Sequence, residues 1–214
     1  MATARRSRLT IDERREQLVR LGTEIFSERP FDEVSIDDIA AAAGISKGLL
    51  YHYFPSKRDF YVEIVRFSAA EMEALTEPDP SLEPAARLQA SLDRYLDYVE
   101  THARGYTTVL QAGIGSDAEV GAVVDEVRAG MVERILSGVD FGGRHAPAAL
   151  RIAVRGWVGF AEAASLDWLE HRDLPREGLR DLLVATLGAS IDAAAAADPR
   201  VRPGRGGSGS GAGG

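Results

Sequence analysis

The stretch Ser35–Phe60, SIDDIAAAAGISKGLLYHYFPSKRDF, decides the fold of this chain. Ser35 can cap a first short helix, and Asp38 three residues later completes an acidic variant of the capping box. Gly44 suits the left-handed position that ends such a helix, because a Cβ there would cost energy. Ser46 can then cap a second helix that runs to about Tyr53. Two short helices joined by a tight turn predict a helix-turn-helix.

The second helix should present a polar face to the surroundings. Its outward residues are Lys47, Gly48 and Tyr51, with His52 or Tyr53 beside them, whereas Leu49 and Leu50 should turn inward. A helix fits the DNA major groove, where base edges are distinguishable, and its early residues reach them. Lys47 can reach a guanine edge. Gly48 costs about 1 kcal/mol against alanine inside a helix, so close backbone approach to a base or phosphate would explain it.

These residues resemble the tetracycline-repressor (TetR) family of bacterial regulators, whose signature is close to I-A-x-x-A-G-[VI]-S-x-G-x-L-Y-x-[YH]-F-x-x-K. The matching positions are Ile39-Ala40, Ala43-Gly44-Ile45-Ser46, Gly48, Leu50-Tyr51, Tyr53-Phe54 and Lys57. The resemblance implies that Lys47 and Gly48 face bases, and that Tyr51, Tyr53 and Lys57 hold phosphates. Ser35 and Ser46 would add hydroxyl or helix-start contacts. His52 is left open between a contact to the DNA backbone and simple exposure.

Charge is distributed unevenly along the 214 residues. The net charge is −8, yet residues 1–60 hold ten basic and ten acidic residues, so the whole deficit lies in residues 61–214. Basic residues cluster at Lys47, Lys57 and Arg58 and again in an N-terminal arm that contains Arg5, Arg6 and Arg8. The first cluster is a local footprint for nucleic acid. The arm could enter a neighbouring minor groove, or it could be merely disordered.

Helical periodicity continues to the end of the folded sequence, and no strand pattern or internal repeat interrupts it. The sequence therefore predicts an all-α fold of about nine helices, with an N-terminal three-helix DNA-binding domain and a C-terminal helical ligand-binding and dimerisation domain. The expected divisions are a flexible arm (1–9), the helix-turn-helix domain (10–56), a connecting helix and break (57–83), the C-terminal domain (84–198) and a disordered Gly/Ser-rich tail (199–214).

Two helices of the C-terminal domain, 148–171 and 176–196, carry more apolar surface than one core needs. Small residues such as Gly156 and Gly159 would permit close helix approach, so we expect these helices to pair with their copies in a homodimer, as the resemblance also implies. Leu183 and Leu187 are expected in that interface, so that glutamate at either position would give a monomer.

The same domain offers candidates for a ligand cavity but none for catalysis. Aromatic and sulfur side chains could line an apolar pocket or could be plain core: Tyr95, Tyr98, Tyr106, Met131, Trp157 and Phe160. The family resemblance, which implies an inducer pocket here, favours some of them as ligand contacts. His102, His145 and His171 are far apart in sequence, so neither a metal site nor a cofactor is expected. The chain has no cysteine.

Together these observations predict a DNA-binding transcriptional regulator and not an enzyme. The resemblance favours a homodimeric repressor that a small apolar ligand releases from a palindromic operator. An activator, or a regulator signalled by a protein partner, is the alternative within this class, and an enzyme or scaffold with an incidental helix-turn-helix is the alternative outside it. No apolar run approaches the roughly 20 residues of a membrane span, so a cytoplasmic protein without membrane association is expected.

Overall fold

The computed structural model describes residues 10–113, 117–138 and 145–201. All regular structure within these ranges is helical, which confirms the predicted fold class. The described residues form nine α-helices: α1 (Ile11–Glu28), α2 (Ile36–Ala42), α3 (Lys47–Tyr53), α4 (Lys57–Leu75), α5 (Pro84–Thr101), α6 (Ala103–Thr107), α7 (Ala118–Ser137), α8 (Ala148–His171) and α9 (Arg176–Ala197). A 3-10 turn at Phe31–Glu33 follows α1, and a π-helical segment at Thr108–Gly113 follows α6.

The chain forms two compact units, each built from two separate stretches. Unit 1 comprises Met1–Ala74 and Tyr98–Val124, and unit 2 comprises Leu75–Asp97 and Asp125–Gly214. Helices α5 and α7 therefore contribute to both units, whereas the sequence divisions place each of them wholly in the C-terminal domain.

The core of unit 1 joins the helix-turn-helix to α1 and α4. Its most deeply buried members include Ile39, Leu50, Phe54 and Phe60. The rings of Phe54 and Phe60 meet edge to face with their centroids 4.7 Å apart. Burial of large aromatic rings dominates the energetics of such a small core, so these contacts fix the helix-turn-helix against α4.

Helix α4 has a second buried side, which explains why the start of α7 belongs to unit 1. Val62 and Val65 of α4 form a smaller apolar cluster with Val120 and Val123 of α7. Near the end of α5, the Tyr98 hydroxyl donates a hydrogen bond of 3.0 Å to the main-chain carbonyl of Ser68 in α4.

Unit 2 is organised around the pair α8 and α9. Leu150, Val154 and Trp157 of α8 are buried, as are Leu179 and Leu183 of α9. The indole N–H of Trp157 donates to the carbonyl oxygen of Leu183 at 3.0 Å, which satisfies the one polar atom of that ring inside the core.

Candidate nucleic-acid interface

The turn between α2 and α3 has the geometry that the sequence predicts. Gly44 adopts a φ of +63°, in the left-handed region. Its N–H donates to the carbonyl oxygen of Ala41 at 3.1 Å, and the N–H of Ile45 donates to that of Ala40 at 3.0 Å. These two bonds form a Schellman motif, which satisfies the last carbonyls of α2. Ile45 packs partly against the core, so the direction of α3 is fixed at its start.

Helix α3 has one buried side and one exposed side. Leu50 is 0% exposed, and the following Phe54 is also buried. Gly48, Tyr51 and His52 are exposed on the other side of the helix, and Lys47 is exposed at its first position. Tyr53 is half-buried and packs against the core.

Leu49 does not turn inward as the sequence predicts. Its side chain is 40% exposed, whereas the adjacent Leu50 is completely buried. Successive helical residues point about 100° apart, so one narrow buried side cannot take both. A helical projection of α3 centred on Leu50 and Phe54 would have revealed this.

Gly48 occupies open space on the exposed side. A Cβ added there would meet no atom of the chain within 4 Å. The fold of the described residues therefore gives no steric reason for glycine at this position, although alanine is the better helix former by about 1 kcal/mol. A requirement outside the chain explains the glycine better.

Lys47 is held by an acidic residue of the neighbouring helix. Its Nζ lies 2.9 Å from a carboxylate oxygen of Asp37 in α2, and both side chains are exposed. The hydrogen bond that Lys47 donates to the Asp37 carboxylate, reinforced by the charge of Asp37, raises the pKa of Lys47 above its ordinary value. The lysine is therefore protonated at neutral pH and oriented toward Asp37, so any other acceptor has to compete with that carboxylate.

Ser35 and Ser46 serve as the N-caps of the two motif helices. The Ser35 hydroxyl accepts the N–H of Asp38 at 3.0 Å, and the Asp38 carboxylate accepts the N–H of Ser35 at 2.9 Å. The hydrogen bond from the Ser35 N–H is the largest cause of the lowered pKa of Asp38. The Ser46 hydroxyl accepts the N–H of Leu49 at 3.2 Å. A capping hydroxyl uses its oxygen as acceptor and keeps its own proton, so each serine can still donate to a phosphate.

Lys57, at the start of α4, lies over an aromatic ring. Its Nζ is 3.9 Å from the ring centroid of Phe31, a cation–π arrangement. The ring of Tyr53 meets that of His52 edge to face, with centroids 5.6 Å apart. Two of the three predicted phosphate-holding residues, Tyr53 and Lys57, thus have side-chain contacts within the chain.

Arg58 connects the start of α4 to the start of α7. Its guanidinium donates two hydrogen bonds of 2.6 and 2.8 Å to the Asp117 carboxylate and one of 3.0 Å to the Glu119 carboxylate. Asp117 also caps α7 by accepting the N–H groups of Glu119 and Val120. The Arg58 guanidinium is the largest cause of the lowered pKa of Asp117. The residue that follows Lys57 is thereby tied to a helix that sequence analysis did not connect with the motif.

The six candidates for a ligand cavity are divided between the two units. In unit 2 the Tyr95 hydroxyl lies 3.2 Å from the Ser165 hydroxyl in a buried polar pair, and Met131 is half-buried. Trp157 is fixed between α8 and α9, and Phe160 lies on the exposed side of α8. In unit 1 Tyr106 is half-buried, and burial raises the pKa of Tyr98 to about 12.

An apolar strip covers the exposed sides of α8 and α9. Ile152 is 64% exposed and Leu182 is 44% exposed. Small residues fill the positions between and beside them: Gly156, Gly159, Ala163, Ala185, Gly188 and Ala189 are all exposed. Leu183 and Leu187 are instead buried within unit 2, because they pack on the inner side of α9. The prediction that these two leucines lie in a dimer interface is wrong.

Other sequence predictions concern the termini and metal sites. Arg5, Arg6 and Arg8 lie outside the described residues, as does the tail beyond Val201. Among residues 10–113, 117–138 and 145–201, no group of three or more acidic or histidine side chains could hold a metal ion. None of the helices in these ranges is long and apolar enough to cross a membrane.

Comparison with known proteins agrees with this geometry. Residues 18–64 match the family described as Bacterial regulatory proteins, tetR family. Residues 84–189 match the family described as Tetracyclin repressor-like, C-terminal domain. A crystal structure of a TetR-family transcriptional regulator from Streptomyces coelicolor superimposes with a TM-score of 0.81 and 35% sequence identity, covering 90% of this chain and 86% of that one.

Two curated relatives are also regulators. The HTH-type transcriptional activator FasR of Mycolicibacterium smegmatis is 28% identical over 174 residues, which are 78% of this chain and 77% of FasR. The HTH-type transcriptional repressor KstR2 of Mycobacterium tuberculosis is 32% identical over 94 residues, which are 43% of this chain and 47% of KstR2.

A helix-turn-helix followed by a helical C-terminal region defines a DNA-binding transcriptional regulator. The chain belongs to the TetR family. The family and these relatives are regulators and not enzymes.

Proposed function

We propose that this regulator is a homodimeric repressor, acting in the cytoplasm, that binds a palindromic operator and leaves it when a small apolar molecule binds the C-terminal region. The exposed residues of α3 are the observation that supports the DNA-binding part of this proposal. Lys47 and Tyr51 are exposed near Gly48, and no contact among the described residues requires a glycine at position 48. Lys47 and Gly48 would face bases, and Tyr51, Tyr53 and Lys57 would hold phosphates.

The apolar strip on α8 and α9 supports the proposed dimer. Ile152 and Leu182 leave apolar surface in water, and the small residues beside them leave room for a second pair of helices. A two-fold axis through this strip would produce two identical recognition helices. Two half-sites one helical turn apart, about 34 Å, would then make the operator palindromic.

The proposed effector is apolar because its candidate contacts are mainly aromatic. Tyr95 with Ser165 would add one polar contact inside unit 2, where a hydroxyl or carbonyl of the ligand could join the pair. Met131, a flexible and polarisable side chain, suits an adaptable pocket. Tyr98, Tyr106, Trp157 and Phe160 remain candidates on the strength of their residue type.

The experiment is selection of bound duplexes from random DNA, followed by fluorescence anisotropy with the enriched sequence. The proposal predicts enrichment of an inverted repeat, binding that weakens steeply with salt, and loss of binding in a folded Tyr51→Ala variant. A library of apolar metabolites is then added to the complex to find one that releases the DNA. Absence of any enriched sequence, or enrichment of a single half-site by a monomer, would contradict the proposal.

Transcriptional activation is a second candidate, because FasR, which aligns with most of this chain, is named an activator. Transcription in vitro from a promoter that contains the enriched sequence separates the two. A repressor lowers transcript yield when added, and an activator raises it.

A further inference from the structure

Leu49 is an exposed apolar residue on a helix whose other exposed residues are polar or glycine. It is 40% exposed, in the middle of the helix that carries the DNA-binding residues, while Leu50 beside it is completely buried. Its main-chain N–H donates to the capping hydroxyl of Ser46, and its side chain is not a member of the apolar core cluster of the helix-turn-helix. An apolar side chain on an otherwise polar surface is better covered than left in water.

The geometry of α3 places Leu49 at one border of the exposed side. With about 100° between successive residues, Gly48 and His52 lie at the centre of that side, Tyr51 lies toward one border, and Leu49 lies toward the other. Lys47, the first residue of the helix, lies beyond Tyr51 and nearer the buried side. The missing side chain of Gly48 permits the helix axis to come close to a groove floor. Leu49 would then approach a different base pair from the one that Lys47 approaches.

A leucine side chain has no hydrogen-bond donor or acceptor, which narrows what it can recognise. Among the base edges of the major groove, the apolar group is the C5 methyl of thymine. The other bases present hydrogen-bonding atoms that a leucine would cover without replacing, and this disfavours them. The chemistry of the side chain therefore selects one base.

We propose that Leu49 is a specificity-determining residue that contacts the C5 methyl of one thymine in each half-site. The inference rests on the proposed operator binding, and it assigns to Leu49 a role that the sequence pattern did not indicate. Lys47 and Leu49 then read two different base pairs by two different chemistries, one by charge and hydrogen bonding and one by apolar contact.

The test removes the methyl group from DNA and the leucine side chain from the protein, separately and together. The probe is the duplex enriched by the wild-type protein, synthesised in versions in which each thymine in turn is replaced by deoxyuridine. We expect one position per half-site at which uracil weakens wild-type binding about three- to tenfold. The same replacement should have no effect on Leu49→Ala, because the contact is already absent.

Two further variants serve as controls. Leu75, at the end of α4, is a similarly exposed leucine at 48%, and Leu75→Ala should keep the full response to uracil. Leu49→Met keeps apolar reach and should retain most of it. Circular dichroism of Leu49→Ala should match that of the wild type, since its side chain is not part of the core.

The outcomes separate this inference from the operator proposal. If the wild type enriches no duplex, the operator proposal fails and this inference fails with it. If a duplex is enriched but uracil affects Leu49→Ala and the wild type equally at every position, only the role of Leu49 is overturned. Unfolding of Leu49→Ala would also overturn it, because Leu49 would then be a core residue.

Discussion

Replacement of Gly22 by alanine tests how closely α1 packs on α4. A Cβ at Gly22 would lie 2.4 Å from Cδ1 of Ile64 and 2.6 Å from Cζ of Phe60. The terminal methyl of Ile64 can move, but the Phe60 ring is completely buried against Phe54 and resists displacement. Overpacking of a core typically costs about 1–3 kcal/mol. The better helix propensity of alanine returns about 1 kcal/mol. We expect a net loss of roughly 0–2 kcal/mol from the free energy of unfolding, and a larger difference from a glycine-to-alanine change at an uncrowded helical site.

The assay is urea unfolding followed by circular dichroism, at one protein concentration so that assembly does not bias the comparison. Gly105→Ala is the matched control, because Gly105 is also helical, also in unit 1, and a Cβ there would meet no atom within 4 Å. That variant should be as stable as the wild type or up to about 1 kcal/mol more stable. If Gly22→Ala proves as stable as Gly105→Ala, then α1 and α4 are not in the close contact described, and the reasoning is refuted.

Three other expectations concern binding, assembly and acid. Lys47→Ala should lower operator affinity about tenfold and relax sequence preference. Asp37→Asn should raise operator affinity, because the lysine no longer has a charged competing partner. Fluorescence anisotropy on operator and scrambled duplexes measures both affinities, and an unchanged affinity of Asp37→Asn would contradict the competition. Leu182→Glu should give a folded protein that sediments as a monomer, whereas Leu183→Glu should unfold unit 2. A Leu182→Glu variant that sediments as a dimer would show that the apolar strip on α8 and α9 is not the interface. The pKa of Asp117 is lowered in the folded state, so its contribution to stability is complete above the ordinary pKa of 3.8 and is lost as the pH falls further. Asp117→Asn can still cap α7, and it should therefore lose less stability on acidification than the wild type. Parallel acid unfolding curves of the two proteins would contradict this.

Local signals in the sequence were sufficient for the motif and for most helix boundaries. Ser35, Gly44 and Ser46 act over three to five residues, and each has the capping or turn geometry that its residue type favours. Two faces could also be recognised on α8, where Val154 is buried and Ile152 is exposed.

The wrong sequence predictions concern adjacent residues of similar hydrophobicity, of which one is buried and the other exposed. Leu182 and Leu183 of α9 have the same hydrophobicity, and only the packing of α9 on α8 determines which of them is exposed. Leu49 and Leu50 of α3 present the same ambiguity. Local periodicity indicates that a helix has an apolar side, but it cannot divide a broad apolar side between a core and an interface.

Long-range ion pairs were beyond sequence reasoning for a different reason. Arg58 and Asp117 are 59 residues apart, and the sequence analysis placed Arg58 in a basic cluster with Lys47 and Lys57 instead of with an acidic partner. Charged residues of this kind are common on any surface, so their pairing becomes visible only when the fold brings α4 and α7 together.

The pairing of Lys47 with Asp37 has a consequence for how the protein would search a genome. A regulator must leave the many wrong sites quickly, and its time on each is prolonged by every cation that replaces a counterion on the phosphates. In the unbound chain the lysine of α3 is already neutralised by a carboxylate 2.9 Å away. On random DNA only the phosphates compete with Asp37 for Lys47, whereas a guanine edge at the right position adds two further acceptors. The acidic neighbour would therefore shorten residence on incorrect sequences, so that part of the discrimination resides in the dissociation rate from nonspecific DNA.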